Sequence, residues 1–236
     1  MASNDRIEPS GEVWEADWVR PRLRRFGSAV AAVVPDGFPA YARVLHPAVA
    51  PDGRFARWAE VAARTGRRVH PLAQFAAVAR PAGGGTAWPG REPETGALPA
   101  DAFRELCAVL ARHTDAADRC RFCLWEGYGR LYPATPRRGP RVRLPGRDHL
   151  LFTGPLAAAA GPGWWLPHDG GAHQTPNLFW PADRAWCVAS EIDLHCTFVG
   201  GSAALVEEVL AAPGLEAWPV RPGDPVAHDS DHVNTP

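Results

Sequence analysis

The chain contains no lysine, so that all 25 of its basic residues are arginine. The absence of lysine excludes Schiff-base catalysis and the lysine that binds phosphates in a P-loop. An excess of charge of either sign is also missing, because the formal net charge is −1 at pH 7. A nearly neutral chain has no general electrostatic attraction for nucleic acids or anionic membranes. We therefore expect no nucleic-acid partner and no membrane partner.

Long hydrophobic runs are absent as well. The apolar stretch Leu156–Ala160, for example, is ended by Gly161 and Pro162, whereas a membrane helix needs roughly 18 apolar residues. The sequence begins with an acidic segment that lacks the apolar region of a secretory signal. Cysteine occurs only five times, and this odd number favours reduced thiols. Together these features predict a cytoplasmic protein.

The residues that are present have the composition of a globular protein, 46% hydrophobic and 22% charged. Residues 27–34 and 38–45 flank the turn sequence Pro35-Asp36-Gly37, and the pattern predicts a β-hairpin. Apolar spacing predicts the other elements in the same way. Helices are expected at 55–65, 72–79, 100–113 and 202–210, and strands at 121–126, 149–153, 185–192 and 215–220.

Hairpins and long loops join the predicted strands, without the regular crossover helices of a parallel sheet. The loops at 83–99, 133–146 and 161–176 are rich in Gly and Pro or Arg. This organisation predicts an α+β fold with a mainly antiparallel sheet and helices packed on it. We expect a single domain over 21–220, an acidic N-terminal segment over 1–20 and a flexible C-terminal tail over 221–236.

Carboxylates are the first candidate site residues. Side chains two positions apart on a strand point the same way, so that Glu191 and Asp193 share one face at the end of the strand predicted at 185–192. Such a pair could hold a cation or act as acid and base, or it could simply be solvated or paired with arginine. Glu126 and Tyr128, from a segment rich in aromatic residues, could line a pocket with them.

The second candidate group surrounds the predicted start of the helix at 202–210. Ser202 fits an N-cap, and Gly200 and Gly201 before it would allow the backbone to approach an anion. The alternative is an ordinary turn followed by a cap. Together with Thr197, these residues are the best ligand-facing candidates in this part of the chain.

The cysteine pairs are the third group of candidates, as possible ligands of a metal ion. Cys120 and Cys123 form a CxxC motif, and Cys187 with Cys196 or His195 could complete a zinc site. Residues three apart on a strand face opposite sides of the sheet, which suits a shared metal poorly. Packed, reduced cysteines are therefore favoured over a metal site.

Other reactive residues also lack a recognisable arrangement. His168, Asp169 and His173 lie in a Gly-rich loop without the helical spacing of an HExxH motif. No serine lies in a GxSxG sequence. The arginines of the loop 137–147 could meet phosphates, but a solvated loop or an acidic partner is preferred. No catalytic residue, metal or cofactor is predicted.

Four stretches of the chain are distinctive and are spread over nearly its whole length: 41–47 (YARVLHP), 57–62 (RWAEVA), 122–129 (FCLWEGYG) and 176–202. They resemble a family of actinobacterial proteins of unknown function. The resemblance implies one domain and transfers no functional residue. The mixture of strands and helices with a tryptophan-rich second half is also similar, at the level of fold alone, to the SUKH immunity and scaffold group.

Two hypotheses follow for the function. In the first, the chain is a non-enzymatic binding domain that holds a protein partner or a small ligand, with an immunity or scaffold role implied by the fold similarity. In the second, it is a hydrolase that uses Glu126, Glu191 and Asp193, assisted by a metal at His168 or His173.

Overall fold

A computed structural model of the chain describes residues 6–128, 139–160 and 174–234. The strands are β1 (Glu8–Ser10), β2 (Ala40–Leu45), β3 (Ala48–Val49), β4 (Phe55–Ala56), β5 (Cys120–Trp125), β6 (Val142–Leu144), β7 (Arg147–Gly154), β8 (Leu178–Pro181), β9 (Cys187–Ala189), β10 (Cys196–Gly201) and β11 (Ala217–Val220). Nine of them form one sheet in the order β1-β7-β5-β8-β9-β10-β2-β11, with β6 also paired to β7. Every pairing is antiparallel. The remaining two strands, β3 and β4, pair separately.

Helices cover both faces of this sheet. They are α1 (Trp58–Thr65), α2 (Phe75–Val78), α3 (Ala100–Ala111), α4 (Leu156–Ala160) and α5 (Ala203–Ala211), with short 3₁₀ turns at Val13–Ala16, Arg20–Arg22, Val30–Ala32 and Glu126–Tyr128. Helices α3, α4 and α5 pack on one face, and α1 and α2 on the other. The α+β prediction is confirmed. No helix in the described ranges has both the length and the apolar character needed to cross a membrane.

Strand β2 shows how side-chain alternation divides the interior. Ala42 and Val44 join the cluster under α3 and α5. Tyr41 and Leu45 join the cluster under α1 and α2. Because successive side chains of a strand point to opposite faces, Arg43 shares the face of Tyr41 and Leu45. The sequence therefore places a guanidinium group inside an otherwise apolar layer.

The two ends of helix α1 are stabilised differently, the C-terminal end by a local glycine and the N-terminal end by a residue from elsewhere in the chain. Gly66 follows its last residue with φ of 73°, a left-handed conformation that glycine adopts without steric cost. At its start the carboxylate of Glu216 accepts hydrogen bonds from the backbone N–H groups of Trp58 (2.6 Å) and Ala59 (2.9 Å). The C-terminal end of α1 was predicted from the local sequence. Its N-terminal cap was not, because Glu216 is far from α1 along the chain.

Two predicted strands differ from the structure. Residues 27–34 form turns and a 3₁₀ helix, because the N–H groups of Val30 and Ala31 donate to the carbonyl groups of Asp224 and Pro222 and not to a neighbouring strand. The strand predicted at 185–192 is reduced to β9, and the chain turns before it enters β10.

Both terminal segments belong to the fold as far as the structure describes them. Near the N terminus, β1 pairs with β7, and Val19 is fully buried. Near the C terminus, Ser230, Asp231 and Asn234 are buried. In place of the flexible tail expected at 221–236, residues 221–234 are packed against the body of the protein, through the carbonyl groups of Pro222 and Asp224 and through side-chain hydrogen bonds that are described below.

Candidate functional site

A cavity of about 160 Å³ lies on the α1–α2 face of the sheet, near the edge formed by β11. Its floor is made by side chains of β2, β10 and β11, including Cys196 and Phe198. One wall comes from the segment that leads into α2, and the opposite wall from the C-terminal segment at Pro225 and Val226. The lining is mainly apolar with a few polar side chains, a composition typical of small-molecule sites.

Arg43 is the most unusual of the lining residues. Its exposed fraction is 6%, and Nη1 donates to the Pro71 carbonyl oxygen at 2.9 Å. Among the residues that the structure describes, its Nε has no hydrogen-bond partner. The guanidinium carbon lies 5.8 Å from the centre of the Trp58 ring. Within the described ranges, no carboxylate forms an ion pair with Arg43.

His195 stands next to this guanidinium group in the turn before β10. Burial lowers the pKa of its imidazole, Glu92 opposes that shift, and the nearby charge of Arg43 adds to it. His195 is therefore predominantly neutral at pH 7. Its ring meets Phe75 edge to face, with 6.1 Å between the ring centres. The cavity thus combines one permanent cation with a neutral imidazole and an aromatic wall.

The C-terminal segment closes the cavity through Asp231. This buried carboxylate accepts hydrogen bonds from the Gln74 backbone N–H (3.1 Å) and from His70 Nε2 (2.9 Å). Asn234 donates to it with both its side chain and its backbone. Burial alone would raise the pKa of Asp231, but these hydrogen bonds outweigh burial and hold it at about 2. The side chain of Gln74 also donates to Ser230.

Thr197 was predicted to face a ligand, but the structure places it in a closed hydrogen-bond chain. Burial lowers the pKa of His46 to about 4, so that its imidazole is neutral at pH 7. Nδ1 lies 2.8 Å from the Glu94 carbonyl oxygen and must carry the proton, so that Nε2 accepts from Thr197 (2.9 Å). The Thr197 oxygen then accepts from Ser190 at 2.7 Å. All three side chains are buried, and they stabilise the link between β10 and the chain before it.

Glu191 and Asp193 lie close together in the structure, in the turn between β9 and β10 and not on one face of a strand. Both form ion pairs with Arg147, at 2.7 and 2.5 Å. The guanidinium carbon of Arg147 also lies 5.1 Å from the centre of the Trp125 ring. The arginine-paired alternative therefore fits this pair, and Asp193 in addition reaches the rim of the cavity.

Glu126 and Tyr128 have partners of their own. Glu126 forms an ion pair with Arg141 at 2.9 Å. The Tyr128 hydroxyl accepts hydrogen bonds from Gln174 (2.9 Å) and Asn177 (3.1 Å), and burial raises its pKa. Neither residue lines the cavity that contains Arg43.

Gly200 and Gly201 serve close packing, which corrects the proposed approach to an anion. Both are buried in β10. A Cβ atom on Gly200 would lie 2.7 Å from a ring carbon of Phe38, and one on Gly201 would lie 2.5 Å from a methyl group of Leu205. Ser202 is the N-cap of α5, as predicted, and accepts from the backbone N–H of Leu205 at 3.1 Å.

The cysteines are free and buried, as expected for packed thiols. Cys120 and Cys123 belong to the clusters on opposite faces of the sheet. No group of residues in the described part of the chain has the composition and spacing of a metal site. His168, Asp169 and His173 lie outside the described residues.

Sequence reasoning missed Arg43 and the C-terminal wall, and it considered His195 only as a zinc ligand. A usable signal existed for Arg43, since the alternation of 38–45 assigns it to the same face as Tyr41 and Leu45. A charged residue at a core position is rare unless it is paired or functional. No local signal marks the C-terminal segment as a cavity wall, because the residues that hold it beside the cavity, Gln74 and His70, are distant in sequence.

Comparison of the chain with protein-family models, curated proteins and solved structures found no match. The resemblance to an actinobacterial family stays a prediction. The assignment of function therefore depends on the geometry of the cavity.

Proposed function

We propose that this protein binds a small organic molecule in the cavity beside α2, as a cytoplasmic binding protein and not as a hydrolase. The observation that supports this proposal is the partly open, mainly apolar cavity into which a few polar side chains converge. Its volume of about 160 Å³ is below the range of about 300–1,000 Å³ that is usual for drug-sized ligands. The ligand we propose is correspondingly small.

The arrangement of the acidic residues favours binding over hydrolysis. Glu126, Glu191 and Asp193 are all engaged by arginine. A general acid or base needs a carboxyl group that can exchange a proton with the substrate, and a fixed partner of opposite charge opposes protonation. The five free cysteines are consistent with a reducing compartment.

The rim of the cavity offers a direct test. Ala76 lines the cavity and is exposed, so that Ala76→Trp should cover the opening without disturbing the core. Ala63 is an exposed alanine of α1 away from the cavity, and Ala63→Trp is the matched control. The probes are two acid–amide pairs, benzoate with benzamide and hexanoate with hexanamide, measured by ligand-detected NMR.

We expect at least one probe to bind to the unmodified protein and to Ala63→Trp, and to lose most of its affinity for Ala76→Trp. A second readout is the reaction of Cys196, which lines the cavity, with methyl methanethiosulfonate. A bound probe should slow that reaction. Binding that is unaffected by Ala76→Trp, or no binding by any of the four probes, would contradict the proposed site.

A further inference from the structure

The guanidinium group of Arg43 has more hydrogen-bond donors than the protein satisfies. A guanidinium carries five N–H donors. In the described part of the chain, its hydrogen bonding is limited to one bond from Nη1 to the Pro71 carbonyl oxygen, and its buried Nε has no acceptor. Buried polar groups are normally satisfied. The missing acceptors therefore point to a group that the protein itself does not supply.

The charge of Arg43 is also unmatched within the cavity. Among the described residues, no other arginine lines it, and Asp193, the one carboxylate of its described lining, is paired with Arg147. Two partly buried arginines in the described residues have such a partner: Arg121 is bound by Glu15, and Arg147 by Glu191. A buried charge without a counter-ion lowers stability, and an anionic ligand would remove that cost.

The apolar residues of the lining determine which kind of anion fits the cavity. Phe75, Phe198 and Val226 form an apolar surface around the same space. A fully hydrated inorganic anion would leave this surface without a partner, whereas an organic acid would place its apolar body there. A carboxylate also matches the two parallel N–H groups that a guanidinium presents.

We propose that the ligand of this cavity is a small monocarboxylate with a compact apolar body, whose carboxylate is bound by Arg43. This inference rests on the proposed binding function and specifies its ligand class. The neutral His195 imidazole lies at the same end of the cavity and can donate a further hydrogen bond to the acid. Arg43 thus acts as the residue that determines specificity.

The decisive experiment compares each acid with its amide at pH 8. In the unmodified protein, we expect benzoate or hexanoate to bind at least about tenfold more tightly than the matching amide, because a hydrogen bond between charged groups is the stronger one. In Arg43→Met that preference should disappear, while the affinity for the amide stays within about twofold. Arg43→Lys keeps the positive charge but lacks the two parallel, coplanar N–H donors of a guanidinium group. We therefore expect a reduced preference for the acid over the amide.

Stability provides an independent readout. If Arg43 is held in place for a ligand, Arg43→Met removes an uncompensated buried charge and should raise the Tm of the ligand-free protein by about 2–4 °C. A structural role for Arg43 predicts the opposite, a lower Tm with unchanged acid preference. If Arg43→Met does not fold, the acid–amide comparison in the unmodified protein and Arg43→Lys still decide the question.

The possible failures are distinguishable. Equal affinity for acid and amide would overturn the carboxylate assignment while leaving the proposed cavity intact. Competition by inorganic phosphate as effective as that by hexanoate would show an anion site without selection for an apolar body, and would also overturn it. If none of the four probes binds, the proposed function fails as well.

Discussion

Two histidines, His46 and His149, are almost completely enclosed by the fold. Burial lowers the pKa of each imidazole to about 4. The Glu94 carbonyl partly opposes this shift at His46, and the charge of Arg147 adds to it at His149. Both side chains are therefore neutral in the folded protein at pH values at which they would be charged in the unfolded chain.

This difference predicts acid sensitivity. The unfolded chain binds protons to these histidines below about pH 6.5, whereas the folded protein binds them only near pH 4, so that stability falls as the pH decreases between these values. Each histidine contributes roughly 3 kcal/mol to this loss at most. We expect urea unfolding curves to show a decreasing free energy of unfolding from pH 7 to pH 4.5.

His149→Leu tests the source of this acid sensitivity. The substitution removes one of the two titrating groups from the core, and we expect the loss between pH 6.5 and pH 4.5 to become about half as large. His232 is exposed, and His232→Leu serves as the control. An unchanged pH dependence in His149→Leu would show that other groups dominate the acid response.

At the scale of a single element, α1 depends on a cap from another part of the chain. Glu216 lies just before β11 and places its carboxylate at the first turn of α1. A carboxylate at this end satisfies free N–H groups and interacts favourably with the helix dipole. Burial raises the pKa of this carboxyl, and the two backbone hydrogen bonds oppose that shift.

Replacing the cap should cost measurable stability. We expect Glu216→Ala to lower the free energy of unfolding by about 1–3 kcal/mol, because the partly buried N–H of Trp58 and the exposed N–H of Ala59 lose their acceptor. Glu216→Gln keeps one acceptor oxygen and should lose less. Glu207→Ala, at an exposed position of α5, is the control in urea unfolding. Equal losses in Glu216→Ala and Glu207→Ala would exclude a specific capping role.

The elements that were predicted well are those whose determinants are local. Helix α3 has a regular apolar stripe, and α5 begins at the N-cap residue Ser202. Residues 27–34 have the composition of a buried strand, but their hydrogen bonds go to the C-terminal segment. Glu191 and Asp193 lie close together in the turn between β9 and β10 and not on one face of a strand, and their shared partner Arg147 lies 44 and 46 positions away. A contact at that separation leaves no periodic trace in the sequence.

At the scale of the whole molecule, the cavity joins parts of the chain that are distant in sequence. The floor comes from the three strands at one edge of the sheet, β10, β2 and β11, and the wall at Pro225 and Val226 comes from the C-terminal segment. Asp231 holds that segment in place by accepting hydrogen bonds from the Gln74 backbone N–H and from His70. The closure of the cavity is therefore coupled to one buried carboxylate, which lies beside the site without lining it.

Asp231→Asn should loosen this wall. An amide cannot accept as many hydrogen bonds as a carboxylate, and donors of Gln74, His70 and Asn234 would be left unsatisfied. We expect a loss of about 2–3 kcal/mol in the free energy of unfolding. The difference from the unmodified protein should disappear as the pH falls from about 4 to about 2, because the folded carboxylate, with its pKa of about 2, then becomes protonated.

The same substitution separates the role of the wall from that of Arg43. Asp231→Asn leaves the guanidinium in place, so that it should weaken hexanoate and hexanamide by similar factors, whereas Arg43→Met should weaken hexanoate alone. Limited proteolysis provides the structural readout: Asp231→Asn should be cleaved faster within 221–236, and hexanoate should slow that cleavage. Asp229→Asn, at an exposed position of the same segment, is the matched control. Asp231→Asn could instead abolish the preference for the acid without faster cleavage within 221–236. That result would show that the Asp231 carboxylate acts on the ligand directly, and it would contradict the proposed role of Asp231 in holding the C-terminal wall in place.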